Sequence, residues 1–301
     1  MPNTLAHMGL QALVTRRLIA NADLGWIWLG CLLPDAPWIL QRVVHSLPVA
    51  VSKIDLRLYA VVQSSLFFSL IAAAAFTVLA PRPLRAFAIV AFGCALHLVL
   101  DALQTKWANG VLLFAPLDWH LLNFGLFWPD DWLSLALSAT GFCYLVLALR
   151  HLRPSPLILP KHPKWRIGSG VCFLSLYLAG PLLFMPAAEA ENLHYAATLR
   201  NVEERTGQSI GFDRSDVIRA SDGVPTLSVW SGETLQLSGE TLPASVETVS
   251  IRGRFENPKT VSVEEFHEHV PVRREVMTIA ALAFMALWWL WSAIHFRVSD
   301  D

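Results

Sequence analysis

Five stretches of this chain are long and apolar enough to cross a bilayer, which constrains its fold more than any other feature. Leu56 to Ala80, Ala86 to Thr105, Trp132 to Leu149, Ile167 to Ala188 and Val276 to Phe296 each come close to or exceed the roughly 20 residues that a transmembrane helix needs. Hydrocarbon offers no partner to backbone N–H and C=O groups, so such runs must be helices. A chain 54% hydrophobic and only 16% charged is too apolar for an ordinary soluble domain of this length. The N-terminal stretch differs. Arg16, Arg17, Asn21 and Asp23 leave two shorter apolar pieces, Thr4 to Val14 and Leu24 to Leu33. Neither spans alone, and a helical hairpin or re-entrant pair is expected. No basic residue precedes the first piece and no small-residue cleavage site follows it, which argues against a signal peptide.

Between Ala190 and Arg274 the composition changes. Charged residues become dense, and turn formers such as Ser221-Asp222-Gly223 and Glu256-Asn257-Pro258 punctuate the chain. Glu189 to Thr206 reads as helical with Gly207 closing it. Thr226 to Trp230, Thr234 to Leu237, Val246 to Phe255 and Thr260 to Val263 read as strands of a small barrel or sandwich. The expected fold is mainly α: a polytopic membrane helix bundle, made of an N-terminal hairpin plus about five transmembrane helices, with a small β-rich extramembrane domain inserted before the last helix. The corresponding domains are 1–188, 189–274 and 275–301. Tryptophans at span ends, among them Trp107, Trp132, Trp165 and Trp291, suit an aromatic belt.

Orientation follows from basic residues in short loops. Arg150, Arg153, Lys161, Lys164 and Arg166 place the loop between the third and fourth spans in the cytoplasm. Counting outward places 190–274 and the 106–131 loop outside. A hairpin that dips in and returns brings His7 and Asp35 to that same face. The net charge of −1 comes without a long lysine or arginine block, so no nucleic-acid partner is expected. The four cysteines, Cys31, Cys94, Cys143 and Cys172, lie in apolar runs without CxxC spacing and read as small buried hydrophobes.

His97 and Asp101 stand four residues apart within the second apolar run, so a helix puts both on one face. Ionisable groups there are costly and usually functional. With His7, Asp35, His45, Asp118 and His120 they form a set of imidazoles and carboxylates suited to a catalytic zinc or a two-metal phosphoester site. A buried hydrogen bond or a proton relay would use the His97 and Asp101 pair equally well. His267 and His269 share one face of a strand, and an exposed strand accounts for them.

Thr4-Leu5-Ala6-His7, Leu29-Gly30-Cys31-Leu32-Leu33-Pro34-Asp35, His45-Ser46, and His97-Leu98-Val99-Leu100-Asp101 running into Gly110-Val111-Leu112-Leu113 and Pro116-Leu117 together resemble the LexA-regulated, inner-membrane-associated metal-dependent hydrolases. The likeness covers about residues 1–150. It implies a bacterial inner-membrane protein, with the outer face periplasmic, and a metal site of His7, Asp35, His45, His97 and Asp101. Related sequences often carry a second acid after Pro-Asp and a His-Arg-Gly before His-Ser. Here those places read Ala36-Pro37-Trp38 and Gln41-Arg42-Val43, which favours a single ion over a full two-metal centre.

The resulting expectation is a membrane-bound hydrolase using a divalent metal, zinc first, one or two ions. It would act at the outer membrane face on a phosphoester or lipid-linked amphiphile, with Asp118 as general base. The competing expectation is a non-enzymatic membrane protein whose His/Asp cluster binds metal or protons, with the β-domain docking a protein partner.

Overall fold

A computed structural model describes residues 4–150, 158–160, 164–219, 225–240, 242–243, 245–295 and 297–299. The expected turn at Ser221-Asp222-Gly223, and Arg153 and Lys161 of the basic loop, lie outside the described residues. Among those described, four helical segments are long and apolar enough to cross a membrane: Pro83–Ala102, Trp132–Leu149, Lys164–Ala190 and Val276–Ile294. They coincide with four of the five apolar runs.

The remaining run, 56–80, is not one straight helix. It forms α4 (Lys53–Gln63) and α5 (Leu66–Thr77), bent by 70°. The cause is local. Ser65 caps α5 by accepting from the Phe68 amide, while the Leu66 amide leaves the helix to bond Leu112 O at 3.0 Å. Ahead of it come the hairpin helices α1 (Thr4–Leu18) and α2 (Leu24–Leu32), then α3 (Ala36–Ser46). After it come α6 (Pro83–Ala102), α7 (Trp132–Leu149), α8 (Lys164–Ala179), α9 (Pro181–Ala190), the short α10 (Ala196–Arg200) and finally α11 (Pro271–Ile294).

Two glycine contacts set the helix spacing. A Cβ added at Gly30 would lie 2.5 Å from Val90 O, and one at Gly9 would lie 2.2 Å from the Gly141 Cα. Only bare backbone permits α2 to approach α6 and α1 to approach α7 this closely, the small-residue packing familiar between membrane helices. Beyond α7, Ile158–Pro160 (β1) pairs in parallel with Arg297–Ser299 (β7).

The inserted domain is a closed five-stranded barrel. Its strands are β2 (Ser209–Arg219), β3 (Pro225–Ser228), β4 (Thr234–Gly239), β5 (Thr248–Asn257) and β6 (Thr260–Glu268), ordered β2-β3-β4-β6-β5. The pair β4 and β6 runs parallel. That is the order of an OB-type barrel. Phe212, Leu227, Leu235, Ile251, Phe255 and Val261 fill it. Arg205 is 1% exposed and closes one end, bound twice to Glu233 and to the carbonyls of Leu199 and Pro258. The helix expected over 189–206 is broken into α10 and two 3-10 turns.

Strand β2 has no counterpart among the expected strands. Its register slips between Phe212 and Ser215, and Arg214 takes φ +55°. This bulge breaks the alternation and re-aims charged side chains. The barrel sits against the bundle at several points. Leu193 and Ala196 join the core of α4 and α5, Arg200 pairs with Asp55, and Arg252 lies 4.8 Å over the Trp107 ring.

Candidate metal centre

Three elements bring the centre together. α1 supplies His7, α6 supplies His97 and Asp101 one turn apart, and the junction of α2 and α3 supplies Asp35. Helix geometry puts the α6 pair on one face, and the Gly30 contact draws α2 against it. His7 and His97 are buried and stacked, their ring centroids 4.2 Å apart. His7 Nε2 lies 3.2 Å from Asp101 Oδ1, and His97 Nε2 lies 3.5 Å from Asp35 Oδ1. His7, His97 and Asp101 each offer a ligand atom within 4.8 Å of the others.

The donor set fits a zinc ion. A tetrahedral zinc about 2.0–2.1 Å from its ligands keeps them about 3.3 Å apart, close to the two separations above. Neither His7 nitrogen has a hydrogen bond, nor does His97 Nδ1. The His7 to Asp101 approach is within ion-pair distance yet poorly aligned for a hydrogen bond, so nearness without alignment leaves the ring nitrogen available. Orphaned buried nitrogens are costly, and a cation would satisfy them. Asp101 is also held from behind, with Oδ2 2.9 Å from Lys106 Nζ and Oδ1 accepting from Gln104. That support orients the carboxylate.

Three of the expected residues are elsewhere. His45 lies in the last turn of α3, not in a loop, and its Nε2 contacts Gln41 at 3.2 Å. The ten residues from Asp35 carry it about 15 Å along the helix at 1.5 Å per residue, so it is a lining residue of the neighbouring cavity, not a member of the cluster. Burial, then Lys53 and Arg57, push its imidazole below the ordinary value. Asp118 is exposed and accepts from the His120 amide in a local turn. It does not line the cavity, so its expected role as base has no geometric support. His120 is exposed beside it.

Asp35, His97 and Asp101 open onto a cavity of about 520 Å³ between the bundle and the barrel. Its bundle side includes Trp38, Arg42, Lys53, Arg57 and Lys106, and its barrel side Asp213, Arg214 and Trp230. Sequence reasoning passed over these residues. Lys106, five residues beyond Asp101, was the one with a local signal. The others meet only in the fold.

A second group, Asp130, His267 and His269, also lies within ligand distance, contrary to the expectation of an exposed strand. His269 is buried, with Nδ1 against Asp130 and Nε2 2.8 Å from Ser250 Oγ, while Asp130 also binds Arg214 at 3.0 Å. His267 stacks on Trp128, its centroid 3.8 Å away. With both His269 nitrogens engaged and a guanidinium on the carboxylate, this group reads as a latch joining the 103–131 segment to the barrel. Burial alone would raise the Asp130 carboxyl, but the His269 hydrogen bond and Arg214 hold it below the usual range.

No family model matches this chain, and no curated protein matches it. Two solved structures align with part of this chain. Replication protein A from U. maydis bound to ssDNA aligns at 12% identity over 30% of this chain and 89% of that one, with a TM-score of 0.21. The S. pombe Stn1-ten1 complex aligns at 15% identity over 29% and 88%, with a TM-score of 0.20. Scores this low say nothing of what the barrel binds.

Proposed function

We propose that this protein is a membrane-embedded metal-dependent hydrolase whose site opens into the cavity between helices and barrel. The observation that carries this reading is the grouping of His7, His97 and Asp101 within ligand distance, with unbonded imidazole nitrogens and Asp35 against His97, beside a chamber large enough for a polar headgroup. His7 and His97 would hold a single divalent ion, zinc first, through neutral nitrogens, and Asp35 and Asp101 would lower its net charge. Bound there, such an ion supplies Lewis acidity and acidifies a water toward neutral pH. Lys106 and Gln104 fix Asp101, and the barrel excludes bulk water. The substrate is an amphiphilic phosphoester or another lipid-linked ester.

The site and the barrel share one side of the bundle, and the basic loop after α7, at the opposite side, supports placing the site and barrel outside, in the periplasm of a bacterial inner membrane. Reporter fusions after Arg153 and after Asp222 test this, and a cytoplasmic barrel would overturn it. For the chemistry, elemental analysis of detergent-purified protein is expected to find stoichiometric zinc or manganese, lost in Asp101→Ala with the fold intact. Turnover on a phosphoester and lipid panel should disappear with it. A metal-free wild type sinks the hydrolase reading. Bound metal without turnover leaves the non-enzymatic alternative.

A further inference from the structure

Arg57 on α4 is a cation with no anion beside it. Its guanidinium lies 4.7 Å from the Trp38 ring centroid and 5.2 Å from that of Trp230, a favourable cation–π setting on both flanks. Among the described residues no carboxylate lies within 4.0 Å of it. Asp213 attracts it only from farther away, and that carboxylate already accepts from Ser250. Arg57 is half-buried and lines the cavity, so its charge faces that space without a counter-charge beside it. The same wall carries Arg42 and Lys53, which also lack an ion pair among the described residues.

The partner of Arg57 sharpens the picture. Its Nη2 lies 3.0 Å from His194 Nδ1, and since a guanidinium can only donate, Nδ1 is the acceptor. His194 then carries its proton on Nε2, turning that atom into a donor. His194 is 3% exposed and lines the cavity, yet Nε2 has no partner, and neither does Arg57 Nε. The backbone is strained to place this ring, with φ of +49°, +55° and +58° at Asn192, His194 and Tyr195. Such strain persists only where surrounding structure enforces it.

We propose that Arg57 and His194, flanked by Trp38 and Trp230, form an anion-binding subsite that takes the phosphate group of a phosphate-bearing ligand. A guanidinium that no carboxylate among the described residues neutralises, held by His194 Nδ1 and standing on the same wall as Arg42 and Lys53, matches a phosphate group in charge and in hydrogen bonding. The proposal rests on the hydrolase reading for its context, since it gives that cavity a phosphate-holding wall opposite the acidic cluster. It differs in requiring no metal. The phosphate comes from a lipid headgroup or from a free phosphate, and the two sources are separable by experiment.

The test uses the full chain in a phosphate-free maltoside detergent, stripped of metal with a chelator. Calorimetric titration with inorganic phosphate, dihexanoyl phosphatidic acid and dihexanoylglycerol is run on wild type, Arg57→Gln, Arg57→Lys and Asp101→Ala. The expected result is binding of phosphatidic acid, weakened about tenfold or more in Arg57→Gln, with dihexanoylglycerol not bound. Inorganic phosphate binding equally well identifies free phosphate as the source, and its failure to bind identifies the headgroup. If Arg57→Gln does not fold, Arg57→Lys decides, because it keeps the charge but loses the fork and the Nε donor. Wild-type affinity in the folded variant, or no binding of either phosphate probe, overturns the proposal. Asp101→Ala removes a carboxylate from the same cavity and frees Lys106, so phosphate should bind it at least as tightly as the wild type, and weaker binding overturns the proposal. Arg57-dependent binding in a protein that never holds metal sinks the hydrolase reading alone, whereas metal-dependent turnover indifferent to Arg57 sinks this inference alone.

Discussion

Asp101 and Lys106 pair at 2.9 Å with side chains only 10% and 7% exposed, so each charge depends on the other when no ion is bound. Lys106→Met removes the cation that pairs with this buried carboxylate at 2.9 Å. A cost of about 3–5 kcal/mol is expected, the usual consequence of breaking a buried pair from one side. Added zinc should restore part of it by supplying a replacement positive charge. Thermal denaturation with and without zinc checks this, and an unchanged metal-free midpoint would contradict it. At this scale the sequence was partly legible. His97 and Asp101 announce themselves by spacing within an apolar run, and His7 and Asp35 through short motifs. Arg57 and His194 do not, because they are 137 residues apart and meet only through the left-handed turns after α9. Asp118 misled because a carboxylate in a polar loop looks the same whether it faces a cavity or caps its own turn.

Helices were the most readable elements, since apolar length alone marks four of the candidate spans to within a few residues. The bend between α4 and α5 was not readable, because it depends on the Leu66 amide finding Leu112, a contact between segments far apart in sequence. β2 was hidden because Asp213, Arg214 and Asp216 interrupt its alternation, and all three line the cavity. The close crossing of α2 and α6 makes its own prediction. Gly30→Ala forces a Cβ to within 2.5 Å of a backbone oxygen, and helix separation should cost about 1–3 kcal/mol. Because the same crossing sets the distance from Asp35 to His97, metal retention should fall as well. Gly168→Ala is the control. No atom lies within 4 Å of that Cβ, so the variant should be neutral or stabilised by about 0.5–1 kcal/mol through helix propensity. Equal metal content and denaturation midpoints in the two variants would refute the spacing argument.

Across the whole molecule, the Asp130, His267 and His269 latch makes barrel docking depend on pH. Burial, then His269, push the His267 imidazole below its ordinary value of 6.5, opposed by Asp130 and Asp131. An undocked His267 therefore binds a proton more readily than a docked one, and docking weakens as pH falls below about 6.5. The Asp130 contribution has the same sign at lower pH: full above the ordinary carboxylate range, and lost as pH falls through its depressed folded value. Hydrogen-exchange protection factors in β5 and β6, corrected for the intrinsic pH dependence, should fall between pH 7.5 and 5.5, and His267→Gln should flatten that fall. Protection independent of pH across this window would rule the latch out as a sensor. None of this was visible in the chain, since a strand histidine is read as exposed until the 103–131 segment is seen covering it.

The barrel is inserted between α9 and α11, so both of its ends are tied to the bundle. A cover held at two points cannot be diluted away. Its closing is an intramolecular event governed by an effective concentration that the anchors set, not by how much protein is present. A handful of individually weak contacts can then keep it shut, and a ligand or a few protons can release it without the enclosure ever being lost.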